Sequence, residues 1–291
     1  MAATPATQSL SVAELKAKLT NPRPQLGFKF FAILFLLVVA YVWGIRGTHA
    51  SPREFWDGLP YVWRFIKRTM PPQWVTESWT FNLGSVDFFT INMPEIVFAI
   101  VETIQMAIIG TTLAIFLSLP FGIIASRNIA PNRVIYQVAR FILNVNRAVP
   151  EIIIALIFVS AVGLGPFSGV LALAVGSIGF MGKLYAEAIE SIDPAQFNAV
   201  SATGANRVQT FLYGVVPQSL PLVAAYSLLL FETNVRSATI LGIVGAGGVG
   251  FELQKYMALF KYQELMGALV LIIIVVTVID RASDAVRRRI I

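Results

Sequence analysis

The sequence predicts an all-α membrane protein of six transmembrane helices, with a short helical segment standing outside the lipid. Three observations carry that prediction. Hydrophobic residues make up 56% of the 291-residue chain and charged residues only 13%, where soluble domains carry about a quarter. Mean hydropathy is +0.73, and six apolar stretches approach the roughly 20 residues that a helix needs to cross a hydrocarbon core of about 30 Å. Finally, NAVSATGANRVQTFLYGVVPQ, residues 198–218, is too polar to span a membrane and too regular in its helix signals to be a slack linker.

The elements follow in chain order. Residues 1–25 form an N-terminal segment in which Ser11 and Glu14 make a capping box for a short amphipathic helix, ended by Pro22 and Pro24. The first span covers 26–45, with Lys29 snorkelling. Its basic flank (Lys16, Lys18, Arg23, Lys29) is nearly 30 residues long, and THA at 48–50 is a poor cleavage site, so this span reads as uncleaved. The loop 46–93 holds Trp56, Trp63, Trp74 and Trp79, four of the five tryptophans. Within it Ser51-Pro52 is a good helix start, and Phe55, Leu59, Val62 and Ile66 recur at helical spacing, which predicts an interfacial helix. Residues 94–285 carry five more spans: about Pro94 to Ile124, Val134 to Val162 with a kink at Pro150, Phe167 to Tyr185, Ser219 to Leu241, and Glu264 to Ile279. A polar loop, 187–217, separates the fourth and fifth, and 286–291 form a basic tail.

Six spans put both termini on one side, and basic residues say which. Lys16, Lys18, Arg23, Lys29, Arg127, Arg133, Arg140, Lys183, Arg207, Arg281, Arg287, Arg288 and Arg289 fall on the side of the termini. Arg46, Arg53, Arg64, Lys67, Arg68, Lys255 and Lys261 fall opposite, five of them in one long loop that counts weakly. Both termini and the 187–217 loop are therefore expected in the cytoplasm, in a multi-pass protein of the cell membrane. The net charge of +6 reflects this topology, and no nucleic-acid motif accompanies it.

Several function classes fall away. The absence of cysteine removes disulfides, thiolate metal sites and cysteine nucleophiles, and the single His49 cannot build a metal site or a catalytic triad alone. GAGGVG at 245–250 satisfies G-x-G-x-x-G literally, but it lacks the strand-turn-helix unit that gives the fingerprint its mechanism. Gly245, Gly247, Gly248 and Gly250 are expected instead to let a turn or gate loop facing outward pass close to a neighbour. The chain reads as a non-enzyme that binds no cofactor or metal.

The 198–218 stretch resolves into two short helices. Asp193-Pro194 is an N-cap and first-turn proline, Phe197, Ala199 and Val200 give an apolar side, and Gly204 is a C′ residue. A second helix starts near Asn206, carries Val208, Phe211 and Leu212 on one side, and ends where Pro217 opens the fifth span. Its apolar ridge either packs back on the spans or inserts into a groove on another protein.

Here the residues carry a resemblance. Ala199, Ala202, Gly204 and Pro217 have the spacing of the "EAA" loop of ABC-importer permeases, although Asn198, Val200 and Val216 stand where the family usually has Glu, Ala and Leu. The longer stretches RAVPEIIIALIFV, EAIESIDPAQFNAVSATGANRVQTFLYGVVPQ and FETNVRSATILGIVGAGGVG resemble the permease subunit of phosphonate/phosphite-type ABC importers. The resemblance implies a type I importer permease fold and a homodimer of this chain. It also implies two ATP-binding cassette subunits that use ATP and Mg, and an extracytoplasmic solute-binding protein. Asp193, Pro194, Phe197, Asn198, Ala199, Ala202, Gly204, Val208 and Pro217 would then form the coupling helix region that seats on the ATPase.

Polar residues at membrane depth are costly and mark either paired bundle contacts or a path for solute. Asn144, Asn146, Arg147 and Glu151 lie in the third span, and Glu232, Asn234 and Arg236 in the fifth. Glu102 and Gln105 lie in the second. Arg147–Glu151 and Glu232–Arg236 are each four apart, so both an internal ion pair and contact with an oxyanion are open. Rival readings are a permease of the same architecture for another small solute such as an amino acid, and an ion-coupled secondary transporter using Glu102, Glu151 or Glu232. A purely structural membrane subunit would leave the intramembrane charges unexplained.

Overall fold

A computed structural model describes residues 28–48, 51–83 and 86–290. The expected capping box at Ser11 and Glu14, Pro22, Pro24 and His49 lie outside the described residues. The chain divides into a unit ending at Phe65 and a unit beginning at Ile66. In the first, α1 (Phe28–Thr48) is an apolar helix with its large side chains exposed, as a lipid-facing span requires. Helix α2 (Pro52–Thr69) starts where Ser51 Oγ accepts the Glu54 N–H at 3.1 Å, the cap the sequence indicates. Phe55, Trp56, Leu59, Val62 and Trp63 are exposed along it.

The second unit opens with an antiparallel hairpin, β1 (Thr76–Leu83) and β2 (Val86–Pro94), in register Thr76↔Pro94 with a shift after Phe81. The hairpin lies in the loop ahead of the second span, where the sequence reading placed only an interfacial helix, and the all-α membrane fold stands. Period-two alternation of Trp79, Phe81 and Leu83, then Phe89, Ile91 and Met93, about Gly84-Ser85 is the hairpin signal in the sequence.

Helix α3 (Glu95–Ile124) is the long central span. The third span is a broken one: α4 (Arg133–Ala148) and α5 (Glu151–Val162) meet at 83°. Pro150 pushes its predecessor out of the helical region, and Val149 sits at φ −89°, ψ 119°. The expected kink is therefore a full break. The fourth span is also two helices, α6 (Pro166–Gly176) and α7 (Ile178–Glu190), joined at Ser177. Among the described residues five helices, or six spans with the bent pair counted once, are long and apolar enough to cross a membrane.

Next come α8 (Pro194–Ala202), the single turn α9 (Arg207–Thr210), a π-helical turn (Phe211–Val215) and α10 (Val216–Leu241). From Arg207 to Val244 the helix is continuous, so Pro217 does not separate a second short helix from the fifth span. The π-turn explains why. Pro217 has no N–H and its ring would strike the carbonyl four residues back, and widening the turn removes the conflict. Val216 N–H reaches back to Phe211 O across it. A 3-10 turn (Gly242–Val244), α11 (Gly248–Ala258) and α12 (Tyr262–Ile290) complete the chain. The basic 286–290 stretch continues α12 rather than forming a separate tail.

The core lies where α3 crosses α6, α7 and α10. Small residues allow the crossings: a Cβ on Gly110 would sit 2.8 Å from Leu173 Cβ, and one on Gly122 2.7 Å from Tyr185 Cβ. Such close backbone approach is how helices associate where hydrophobic burial gives little drive. Met106, Leu173, Leu241 and Ala246 fill one cluster, and Ala114, Met181, Tyr185 and Leu230 another. The Tyr185 hydroxyl is satisfied 2.7 Å from Ser227 Oγ.

Candidate functional site

The segment 193–217 is built from its caps. Asp193 accepts the Ala195 N–H at 2.9 Å with Pro194 in the first turn, and no residue of α8 is fully buried. Gly204 then reverses the chain at φ +85° with open space around it. Asn206 and Gln209 close a reciprocal capping box, both bonds at 2.9 Å. The apolar ridge divides in two. Phe197 and Val200 are half-buried against Gly214 in the π-turn, whereas Val208, Leu212 and Tyr213 are 65%, 50% and 73% exposed. Asn198, Ala199 and Ala202 are exposed as well, and so is Pro217 at the start of the span. A groove of about 420 Å³ runs beside the segment, lined by Asn128, Pro131, Phe197, Arg207, Thr210 and Phe211 among others.

A residue that the sequence reading passed over holds this segment to the span. Gln218 Oε1 accepts the Asp193 N–H at 2.9 Å while its amide donates to Gly214 O at 2.5 Å. One side chain thereby joins the start of α8 to the π-turn. Nearby, Arg140 donates to Glu190 Oε1 at 2.9 Å and to Ala125 O at 3.1 Å, and Glu190 Oε1 also accepts the Arg127 N–H at 2.6 Å. These bonds tie the turn after α3, the middle of α4 and the end of α7. Residues so distant in sequence leave no local signal.

The glycine loop 245–250 is packed within the bundle, buried at every position except the half-buried Gly247. Gly247 at φ +82° lies against the Pro166 backbone, and Gly248 at φ +68° lies where a Cβ would meet Thr103 Oγ1 at 2.5 Å. Thr103 accepts the Val249 N–H at 2.8 Å, and Gly245 O accepts the Gly165 N–H at 3.0 Å. A Cβ on Gly250 would overlap Thr239 O. Close approach is thus the reason for these glycines. Beyond the loop Lys255 pairs with Glu95 at 2.7 Å and Glu252 at 3.0 Å, which hold its ammonium above the usual lysine range.

The intramembrane polar residues separate into three groups. Asn234 is fully buried, donating to Thr111 Oγ1 at 2.9 Å and accepting from Ser177 Oγ at 3.1 Å, so it cross-links α10, α3 and the α6–α7 junction. Glu232 and Arg236 pair as their spacing suggests. Arg236 also reaches Asp280 at 3.1 Å, and Arg287 reaches Glu232 at 3.1 Å, so four charges bridge α10 and α12. Arg147 and Glu151 do not pair, because the chain breaks between them at Pro150. Glu151 opens α5 with its Cγ 3.0 Å from where a Gly176 Cβ would stand. Arg147 and Asn144 are exposed, the Arg147 guanidinium 6.0 Å from the Phe180 ring centroid. Asn146 is structural: it accepts the Gly179 N–H at 2.7 Å and donates to Val175 O at 3.0 Å.

A family model described as binding-protein-dependent transport system inner membrane component matches residues 118–291. The chain is 42% identical over 237 residues to the phosphate-import permease protein PhnE of Mycolicibacterium smegmatis, covering 79% of this chain and 42% of that one. It is 37% identical over 258 residues to the phosphite transport system permease protein PtxC of Stutzerimonas stutzeri, covering 88% and 87%. The chain thus spans less than half the length of the first relative and most of the second. A solved structure of the MetNI methionine ABC transporter in an inward-facing conformation superposes with a TM-score of 0.60 at 25% identity, over 68% of this chain and 100% of that one.

Proposed function

The chain belongs to the family of binding-protein-dependent transport system inner membrane components, and from that premise we propose that it is the permease subunit through which a phosphorus oxyanion (phosphonate, phosphite or phosphate) enters the cell. It is a transport subunit rather than an enzyme. It works as a homodimer, with two ATP-binding cassette subunits hydrolysing Mg-ATP below and a solute-binding protein delivering cargo above. It sits in the cell membrane with both termini in the cytoplasm.

One observation carries the mechanical part of this reading. The segment 193–217 leaves Val208, Leu212 and Tyr213 exposed, yet it is continuous with α10 and clamped to it by Gln218. An apolar surface on a rigid lever suits insertion into a cleft of a motor subunit. Closure of the ATPases then moves α10 directly, because no flexible joint lies between Arg207 and Val244. The charges of Glu232, Arg236, Asp280 and Arg287 carry α12 with it. Asn144 and Arg147, exposed and polar at membrane depth, form the wall past which the oxyanion moves, and the buried turn 245–250 limits the outer part of that wall. Asn234 holds the bundle together and does not touch the cargo. The phosphorus assignment rests on the names of the two relatives above.

The test is uptake by the complete transporter in proteoliposomes, with labelled phosphonate competed by phosphite, phosphate and D-methionine. The reading expects ATP-dependent uptake inhibited by at least one phosphorus oxyanion and untouched by D-methionine. Uptake inhibited by D-methionine alone would reassign the cargo to an amino acid.

A further inference from the structure

Helix α4 presents three faces, and on one of them only Arg140 is engaged by a hydrogen bond or ion pair among the described residues. Ala139 and Leu143 are buried, with Asn146 half-buried beside them. Val134, Val138, Phe141 and Val145 make an exposed apolar stripe at spacings of four, three and four, suited to lipid. Arg133, Gln137, Arg140, Asn144 and Arg147 recur at four, three, four and three, which aligns them along a third face about 21 Å long at 1.5 Å per residue. Arg140 is neutralised by Glu190 and lies 5.2 Å from the Tyr136 ring centroid. Gln137 and Asn144 make no side-chain hydrogen bond among the described residues, and Arg133 and Arg147 make no ion pair. A polar stripe on a helix at membrane depth must face water or a partner.

The stripe ends in a pocket. A cavity of about 500 Å³ is lined by Arg127, Ala130, Asn132, Arg133, Tyr136 and Gln137. Arg127 and Arg133 are both exposed and have no acidic partner among the described residues. The carboxylate nearest in the bonding pattern, Glu190, is already engaged by Arg140 and by the Arg127 backbone. Those same bonds place the pocket at the end of the bundle that carries the segment 193–217.

We propose that this pocket is an anion station at the inner end of the transport path. Arg127 and Arg133 take a tetrahedral oxyanion by charge-assisted hydrogen bonds, with Asn132, Tyr136 and Gln137 as further polar partners. Each planar guanidinium can donate two parallel N–H bonds to two oxygens of a phosphate-type anion. A site open to solvent binds weakly enough to release, as conduction requires. The direction of travel rests on the reading in the preceding subsection, but the binding chemistry does not. Oxyanion accumulating on the inner side refills the pocket and slows the next passage.

The experiment titrates the purified transporter, without its binding protein, with labelled inorganic phosphate and compares R127Q/R133Q. Wild type binds saturably, and the double variant binds at least about tenfold more weakly, as expected when two charged hydrogen-bond donors are lost. R127K/R133K recovers part of the affinity because charge is kept. In proteoliposomes, phosphate preloaded on the inner side inhibits wild-type uptake and inhibits the glutamine variant less. Phosphate binding unchanged in R127Q/R133Q overturns the proposal. Loss of ATPase co-purification with phosphate binding intact also overturns it, and makes the pocket a protein-docking surface. If the wild-type complex moves only solutes without phosphorus, the functional reading fails while the titration still decides the pocket.

Discussion

Two glycine-punctuated stretches of this chain look alike in sequence and behave as opposites in the fold. In 245–250 the glycines are packed and forced, since each missing side chain is the space that a neighbouring residue occupies. In 193–217 Gly204 is exposed with nothing within 4 Å, and only its φ of +85° requires glycine. The first stretch is part of the core; the second is a lever held outside it by two caps and one glutamine. Damage to the first should therefore be read in folding, and damage to the second in coupling.

The largest effect expected is at Gly250. Gly250→Val drives a Cβ into Thr239 O and the Gly242 backbone, and such overpacking costs about 3 kcal/mol. Loss of monodisperse protein in detergent, measured by size-exclusion chromatography, is the expected outcome. A normal yield would break the contrast at its stronger end. Asn234→Ala comes next. It strands Thr111 and Ser177 in the core and removes two buried bonds, for about 2 kcal/mol of destabilisation seen as a lowered Tm.

Gly204→Val should separate the two regions most clearly. The left-handed backbone costs a β-branched residue about 1–2 kcal/mol locally, so the turn opens and the second helix is misdirected. Insertion and Tm are retained while ATP-driven uptake or ATPase co-purification is lost, and undiminished uptake would show that the turn does not matter. Gln218→Leu sharpens the same point: it removes both bonds of the clamp, and uptake should fall while the ATPase still co-purifies. The smallest structural effect is expected at Arg236→Gln. Its guanidinium is about half exposed, and exposed pairs contribute little to stability, so Tm should barely move. Uptake nonetheless falls if α12 must follow α10, and normal uptake with normal ATPase stimulation would remove Arg236 from the mechanism.

The comparison also marks what a sequence discloses. Caps are local, so Ser51, Asp193 and Gly204 were legible, and span positions followed from apolar length. The resemblance carried by residues 147–250 anticipated the family. Three things were hidden for physical reasons. Pro150 announced a bend, but its angle depends on what α5 packs against. Pro217 was read as a helix boundary, because a π-turn that absorbs a proline has no composition of its own. Glu190, Asp280 and Thr111, as partners of Arg140, Arg236 and Asn234, lie 50, 44 and 123 residues away, beyond any spacing rule. The same limit governed the outer turn. Its glycines suggested close approach, but only the fold shows Thr103 and Pro166 as the neighbours approached.

The reading stands most directly on where the energy comes from. Reconstituted with its ATPase and binding protein, the chain should accumulate labelled oxyanion inside vesicles only when Mg-ATP is supplied. Accumulation against a gradient by the chain alone, in vesicles holding no nucleotide-hydrolysing subunit, would contradict it.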